Sequence, residues 1–163
     1  MQIRIRQSGA VMFWNEFRDL LLAQNPSELI TVAPQTEEWL NAHGADVVFE
    51  GPQAAGGTVY QYSMRQGVEQ LDGKWYTKYV LGPIFTDGET TAAEQETAYK
   101  AMKDAEQATN VRRSRTEKLK DCDWTQIADS TADKTAWATY RQALRDVTGQ
   151  TGFPWTITWP TQP

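Results

Sequence analysis

A chain of 163 residues fits one ordinary domain with an appendage, or two small units joined by a connector. Its net charge of −5 and isoelectric point near 4.9 exclude general nucleic-acid binding, which needs a net cationic face, and a mean hydropathy of −0.61 leaves much of the chain at the surface. Cys122 is the single cysteine and His43 the single histidine, which excludes an intrachain disulfide and leaves a tetrahedral zinc site short of ligands.

The first residues, Met1 to Gln7, alternate Ile3 and Ile5 with Arg4 and Arg6, the period of a half-buried strand ended by Ser8-Gly9. They contain no apolar h-region, so they do not read as a signal peptide, and no run of about 18 apolar residues marks a membrane span. A reducing cytosol is the expected place of synthesis. Phe17, Leu20, Leu21 and Leu22 then fall at helical spacing between Asn15 and Gln24, and Asn25-Pro26 stops the pattern. A second short helix is expected after Pro34-Gln35, with Thr36 as N-cap, Glu37 and Glu38 where the helix dipole favours acids, and an end near His43-Gly44.

Val47-Val48-Phe49 reads as a brief strand, and Gly51-Pro52 with Gly56-Gly57 as an exposed loop. From Val59 to Val80 the chain is rich in Tyr, Val and Trp. Asp72-Gly73 there suits a type I′ hairpin turn, whose two central residues both need positive φ. Residues 90 to 121 contain no Gly or Pro and many strong helix formers, predicting one long helix. Its sparse apolar positions, Tyr99, Met102, Val111 and Leu119 among alanines, give no sustained heptad seam and specify no oligomer, so it reads as a connector. Its basic run, Arg112, Arg113, Arg115, Lys118 and Lys120 broken by Glu117, reads as a solvated helix face, since no aromatic residues interleave with it to stack on bases.

After a polar stretch past Trp124, Lys134 to Val147 resumes helical periodicity with Asp133 as the expected N-cap. Trp137, Tyr140, Ala143 and Leu144 share a face with Arg141 and Arg145 beside them, Gly149 and Gly152-Phe153-Pro154 end the helix, and Trp155 to Pro160 is extended. The expected class is α+β: residues 1–83 form a small domain of strands, helices and a β-hairpin, 84–122 a mainly helical connector, and 123–163 a small helical module with an extended aromatic tail.

Catalytic chemistry finds little footing in the sequence. Cys122 with His43 is the one pair available to a cysteine hydrolase, but Asp121 and Asp123 disfavour a thiolate and His43 is explained by capping a helix end. Glu37, Glu38, Asp46, Glu50 and Glu69 offer carboxylates for glycoside cleavage, yet nothing selects a pair among them and acidic surface is the simpler account. Trp75, Tyr76 and Tyr79 could stack on the sugars of a surface glycan, although aromatics in a hairpin more often pack within the sheet. The glycine-rich loop at Gly51 lacks the Lys-Ser/Thr of a phosphate loop, and no cofactor is expected.

The ordered segments Asp123-Trp124-Thr125-Gln126, Trp137-Ala138-Thr139-Tyr140-Arg141-Gln142-Ala143-Leu144, and Gly152-Phe153-Pro154-Trp155-Thr156-Ile157-Thr158-Trp159-Pro160 resemble the C-terminal module of phage tail assembly chaperone proteins. The same ending is similar to that of tail fibre assembly proteins, which help a trimeric fibre fold and in some phages stay at its tip. Gly67-Val68-Glu69 leading to Gly73-Lys74-Trp75-Tyr76-Thr77-Lys78-Tyr79 also resembles the front half of proteins from phage tail regions.

The resemblance implies a non-enzymatic protein that binds a tail fibre or another tail or baseplate component, oligomeric only within a tail assembly. It would work in the host cytoplasm, with a place in the virion tail as the alternative, there with a receptor- or glycan-binding role. It brings no catalytic residues. Its signature positions here are Trp124, Trp137, Tyr140, Arg141, Leu144, Trp155, Trp159 and Pro160, each readable as core or as partner contact.

Overall fold

The computed structural model describes all residues 1–163 and is mixed α+β. The chain divides into two compact units, Met1–Ile84 and Phe85–Pro163.

The first unit is built on a five-stranded sheet in the order β2-β1-β3-β5-β4. Strand β1 (Gln2–Ile5) lies antiparallel to β2 (Val11–Phe13) on one side and to β3 (Ala45–Phe49) on the other, with Ile3 opposite both Met12 and Val47. Strand β3 runs parallel to β5 (Lys74–Gly82), which pairs antiparallel with the edge strand β4 (Tyr62–Leu71). Asp72 and Gly73 turn that hairpin with φ of 48° and 79°, as the Asp-Gly pair predicts. A bulge between Arg65 and Val68 breaks the register of β4, with Gly67 at φ 78°.

Helix α1 (Trp14–Gln24) follows β2 directly, and the Glu16 carboxylate accepts from the Phe13 backbone N–H at 2.7 Å, satisfying a group that the helix start leaves unpaired. Its Trp14, Phe17 and Leu21 recur at helical spacing and meet Ile3, Ile30, Leu40 of helix α2 (Glu37–Ala42) and Ala45 in one core. Thr36 caps α2 as expected, accepting from the Trp39 N–H at 3.3 Å. Where the chain leaves β3, Gly51 is required by contact: a Cβ there would stand 2.0 Å from the Thr77 carbonyl oxygen. Its buried N–H donates to the Thr77 hydroxyl at 2.7 Å, so this end of the loop is interior although most of the rest is exposed.

The second unit is organised by helix α3 (Ala92–Asp121), thirty residues long. A reciprocal cap starts it: the Thr91 hydroxyl accepts from the Glu94 N–H, and the Glu94 carboxylate accepts from the Thr91 N–H at 2.9 Å. A short 3-10 turn (Asp123–Gln126) leads away from its end, and helix α4 (Lys134–Asp146) returns, with Asp133 accepting from the Thr135 and Ala136 N–H groups at 3.0 Å. Cys122, Tyr140 and Leu144 form the buried centre, with Leu119, Trp137 and Trp159 packed on it. Few residues of α3 are buried, chiefly Ala108 and Val111, so its burial is supplied by α4 and the tail along one narrow stripe.

Candidate protein-binding surface

The eight signature residues all lie in the second unit, and they do different things. Tyr140 and Leu144 are core. Helical spacing places Trp137 beside them, with its ring edge-on to Tyr140 at 5.6 Å and to Trp124 at 5.7 Å.

Arg141 is the polar keystone of the module. Its Nη1 donates to the Leu119 carbonyl at 2.8 Å and contacts the Cys122 Sγ at 3.0 Å, while Nη2 donates to Asp123 Oδ1 at 2.8 Å. One planar guanidinium thus adds a charged donor to a carbonyl that also accepts from the Cys122 N–H at 3.3 Å, and ties the end of α3 to α4. Partial burial works against its charge, but the Asp123 and Cys122 contacts outweigh that and raise its pKa above the ordinary value, so the group stays protonated.

The tail is fixed by a second set of contacts. The Gln150 side-chain amide donates to the Thr158 carbonyl at 2.8 Å and accepts from the Thr158 N–H at 2.9 Å. Gly152 permits the reversal between them: a Cβ would stand 2.4 Å from the Thr156 carbonyl oxygen. The returning chain then lies on α3. The Trp155 indole N–H donates to Asp104 Oδ1 at 2.6 Å, Lys118 stands 5.4 Å from the Trp159 ring centre, and Arg112 is 5.4 Å from that of Phe153. Pro160, half-buried, follows Trp159. A groove of about 250 Å³ opens between Gln107, Asn110 and Ser114 of α3 and Trp155, Ile157 and Trp159 of the tail.

Trp124 stands apart from the other seven. It is 53% exposed, and Ile127 three residues later is 55% exposed. The turn that carries them is nevertheless held firmly. Thr125 between them is fully buried and donates to the Cys122 carbonyl at 2.7 Å, while the Lys134 ammonium donates to the carbonyls of Thr125 and Ile127. An apolar pair held rigidly in water is an arrangement suited to partner contact rather than to the fold of the free chain. Spacing alone could not single out Trp124, because the turn falls outside both helical periodicities.

Several of the residues weighed for chemistry have structural roles. Cys122 is fully buried under the Arg141 guanidinium. In the first unit His43 stacks on Trp39 with ring centres 3.6 Å apart and has its Nε2 3.3 Å from Glu28. Asp46 pairs with Arg6 at 2.7 Å and Arg4 at 3.7 Å, and Glu50 accepts from the Tyr79 hydroxyl at 2.5 Å. Arg4 lies 3.9 Å over the Trp75 ring, and Tyr76 packs against Phe49 with ring centres 5.7 Å apart. No group of three or more His, Cys, Asp or Glu is placed to hold a metal, and no helix is long and apolar enough to cross a membrane.

Residues 108–163 match the family model described as phage tail assembly chaperone protein. The resemblance carried by the Trp124-to-Pro160 signature is therefore shown for the C-terminal module, and the match starts within α3, at the buried Ala108. It spans about the last third of the chain and supports a role in tail assembly, in a family that is not one of enzymes. No curated protein and no solved structure matches the chain.

Proposed function

We propose that this chain is a bacteriophage tail assembly factor that acts by association, not turnover. Its C-terminal module binds a tail fibre or another tail or baseplate component in the host cytoplasm and aids its folding, attachment or capping. The family match over residues 108–163 carries this reading. The second unit supports it: most of the signature builds one small scaffold, and the scaffold presents Trp124 and Ile127 to solvent. A partner that covered these side chains would remove apolar area from water, at roughly 25 cal/mol per Å².

Inactivating the coding frame in the phage tests the proposal. Infected cells are expected to fill with heads and to lack complete tails or fibres in electron micrographs, with rescue by the wild-type chain supplied in trans. Normal, infectious tails without the chain would sink the reading. Subunit counting by mass spectrometry on purified particles then separates a factor discarded after assembly, absent from the particle, from one that remains as a cap at fixed stoichiometry.

A further inference from the structure

The sheet of the first unit curls until its two edge strands border one groove. That groove, of about 470 Å³, is lined by Val11, Met12 and Phe13 of β2 and by Arg65 and Gly67 of β4. Both rims present backbone groups that have no partner. The Ile5 N–H donates to the Ala10 carbonyl and the Trp14 N–H to the Met1 carbonyl, so alternation along β2 gives Met12 to β1 and turns the N–H and C=O of Val11 outward. The Phe13 N–H turns the same way and is taken by Glu16, which leaves the Phe13 carbonyl. On the other rim the two-residue turn at Asp72-Gly73 makes Leu71 and Lys74 a hydrogen-bonded pair. Val68, opposite Thr77, therefore faces away from β5, and so does Arg65, opposite Tyr79 beyond the bulge. Gly67 between them has no side chain, and nothing stands within 4 Å of where a Cβ would be, so another main chain can come close.

We infer that this groove accepts an extended segment of a tail component as a sixth strand, bonded through its main chain to β2 on one side and β4 on the other; the inference rests on the assembly reading above for the identity of that partner. A strand bonds neighbours on both sides at about 4.7–4.9 Å, and its alternating N–H and C=O groups complement two facing edges as no helix does. Its insertion closes the curled sheet and abolishes both open edges. The occupant must be free on both of its own edges. That excludes the sheet edge of a second copy, already paired on one side, and selects a segment not yet built into a sheet of its own. Side chains narrow the choice further. Phe13 is 54% exposed beside the half-buried Val11, so the residue laid against β2 is apolar.

Overlapping peptides of about twelve residues, longer than an ordinary strand and covering the tail proteins of the same phage, test this when titrated into the full nitrogen-15-labelled chain. Amide hydrogen exchange is the readout. The expected result is a peptide that slows exchange at Val11 of β2 and at Arg65 and Val68 of β4 together, by about tenfold or more, and far less at Met12 and Glu69, which are already bonded within the sheet. N-methylating one central residue of that peptide deletes a single main-chain donor and keeps the side chain, so binding should weaken about tenfold or more. Protection confined to one rim, or binding indifferent to N-methylation, overturns the proposal. So does protection of both rims that grows with the concentration of the chain alone, since a second copy is then the occupant. If no peptide protects either rim the groove reading fails, and the assembly reading still stands where phage lacking the chain make no tails. Protection of both rims by a tail peptide, together with normal tails in phage lacking the chain, supports the groove and sinks the assembly reading alone.

Discussion

The Trp155 indole N–H donates to Asp104 Oδ1 at 2.6 Å across 51 residues of sequence, which registers the C-terminal tail against the middle of α3. This bond joins a neutral donor to a carboxylate in a part-buried setting, where such bonds contribute about 1.5–3 kcal/mol. Trp155→Phe keeps most of the ring and deletes the donor. Backbone amides of α3 near Asp104 are expected to exchange hydrogen about tenfold faster or more, with amides of the first unit unchanged. Unaltered exchange along α3 would show that ring packing alone holds the tail.

Arg141 and Asp123 are joined at 2.8 Å, yet the two partners are not equivalent. The Asp123 side chain is 63% exposed, so Asp123→Asn forfeits only a surface ion pair, about 0–1 kcal/mol. Arg141→Met also removes the charged donor from the Leu119 carbonyl, which keeps the Cys122 N–H, and from the Cys122 sulfur, and is expected to cost about 1–3 kcal/mol more. Arg141→Lys should fall between, because a single ammonium cannot reproduce the planar fork. Thermal unfolding of the three variants ranks them, and equal losses would refute the helix-end role.

In the first unit the buried Gly51 N–H rests on the Thr77 hydroxyl at 2.7 Å. Thr77→Val removes that acceptor at nearly constant volume and is expected to destabilise by about 1–3 kcal/mol, whereas Thr77→Ser should recover most of the loss. Gly51→Ala should be worse than either, since its methyl must displace the Thr77 carbonyl. Urea midpoints followed by circular dichroism give the order.

Local signals were strong wherever a residue's conformation follows from its own chemistry. Asp72-Gly73 gave the hairpin, Thr36 and Asp133 the helix starts, and the Gly- and Pro-free run the long helix. Strand β2 was not legible, because three residues passing straight into α1 show neither a period nor a turn of their own. The 3-10 turn at Asp123–Gln126 escaped for a similar reason: it is fixed by Thr125 and Lys134 bonding to backbone carbonyls, which no spacing announces. At the candidate site the apolar spacing grouped Trp137, Tyr140 and Leu144. It was silent on Asp104 as the seat of Trp155, a contact set by tertiary packing alone.

The start of α3 carries a pH dependence of definite sign. Hydrogen bonds from the Thr91 backbone, and secondarily from its hydroxyl, hold the Glu94 carboxyl below its ordinary value of 4.5. A carboxylate depressed in the folded state contributes its stabilisation above the unfolded value, and the contribution disappears as pH falls through the folded one. Acidification below pH 4.5 is therefore expected to fray the first turn, with Glu94→Gln insensitive over that window. Carbon-13 NMR titration of the Glu94 carboxyl checks the direction, and a midpoint above 4.5 would contradict the cap.

Comparing Trp124→Ala with Leu144→Ala separates recognition from folding. Leu144 is wholly buried, so its truncation leaves a cavity and is expected to cost about 2–5 kcal/mol. Trp124 is more than half exposed and contributes to the fold chiefly through its edge contact with Trp137, so its loss should cost about 0.5–1.5 kcal/mol. Assembly should show the reverse order at a temperature where both variants stay folded, because a central aromatic anchor carries about 2 kcal/mol or more of binding, roughly thirtyfold in affinity. Complementation by each variant of a phage lacking the chain reads that order directly. If titres track melting temperature across both substitutions, the exposed indole has no role beyond stability, and the contact surface must lie elsewhere on the chain.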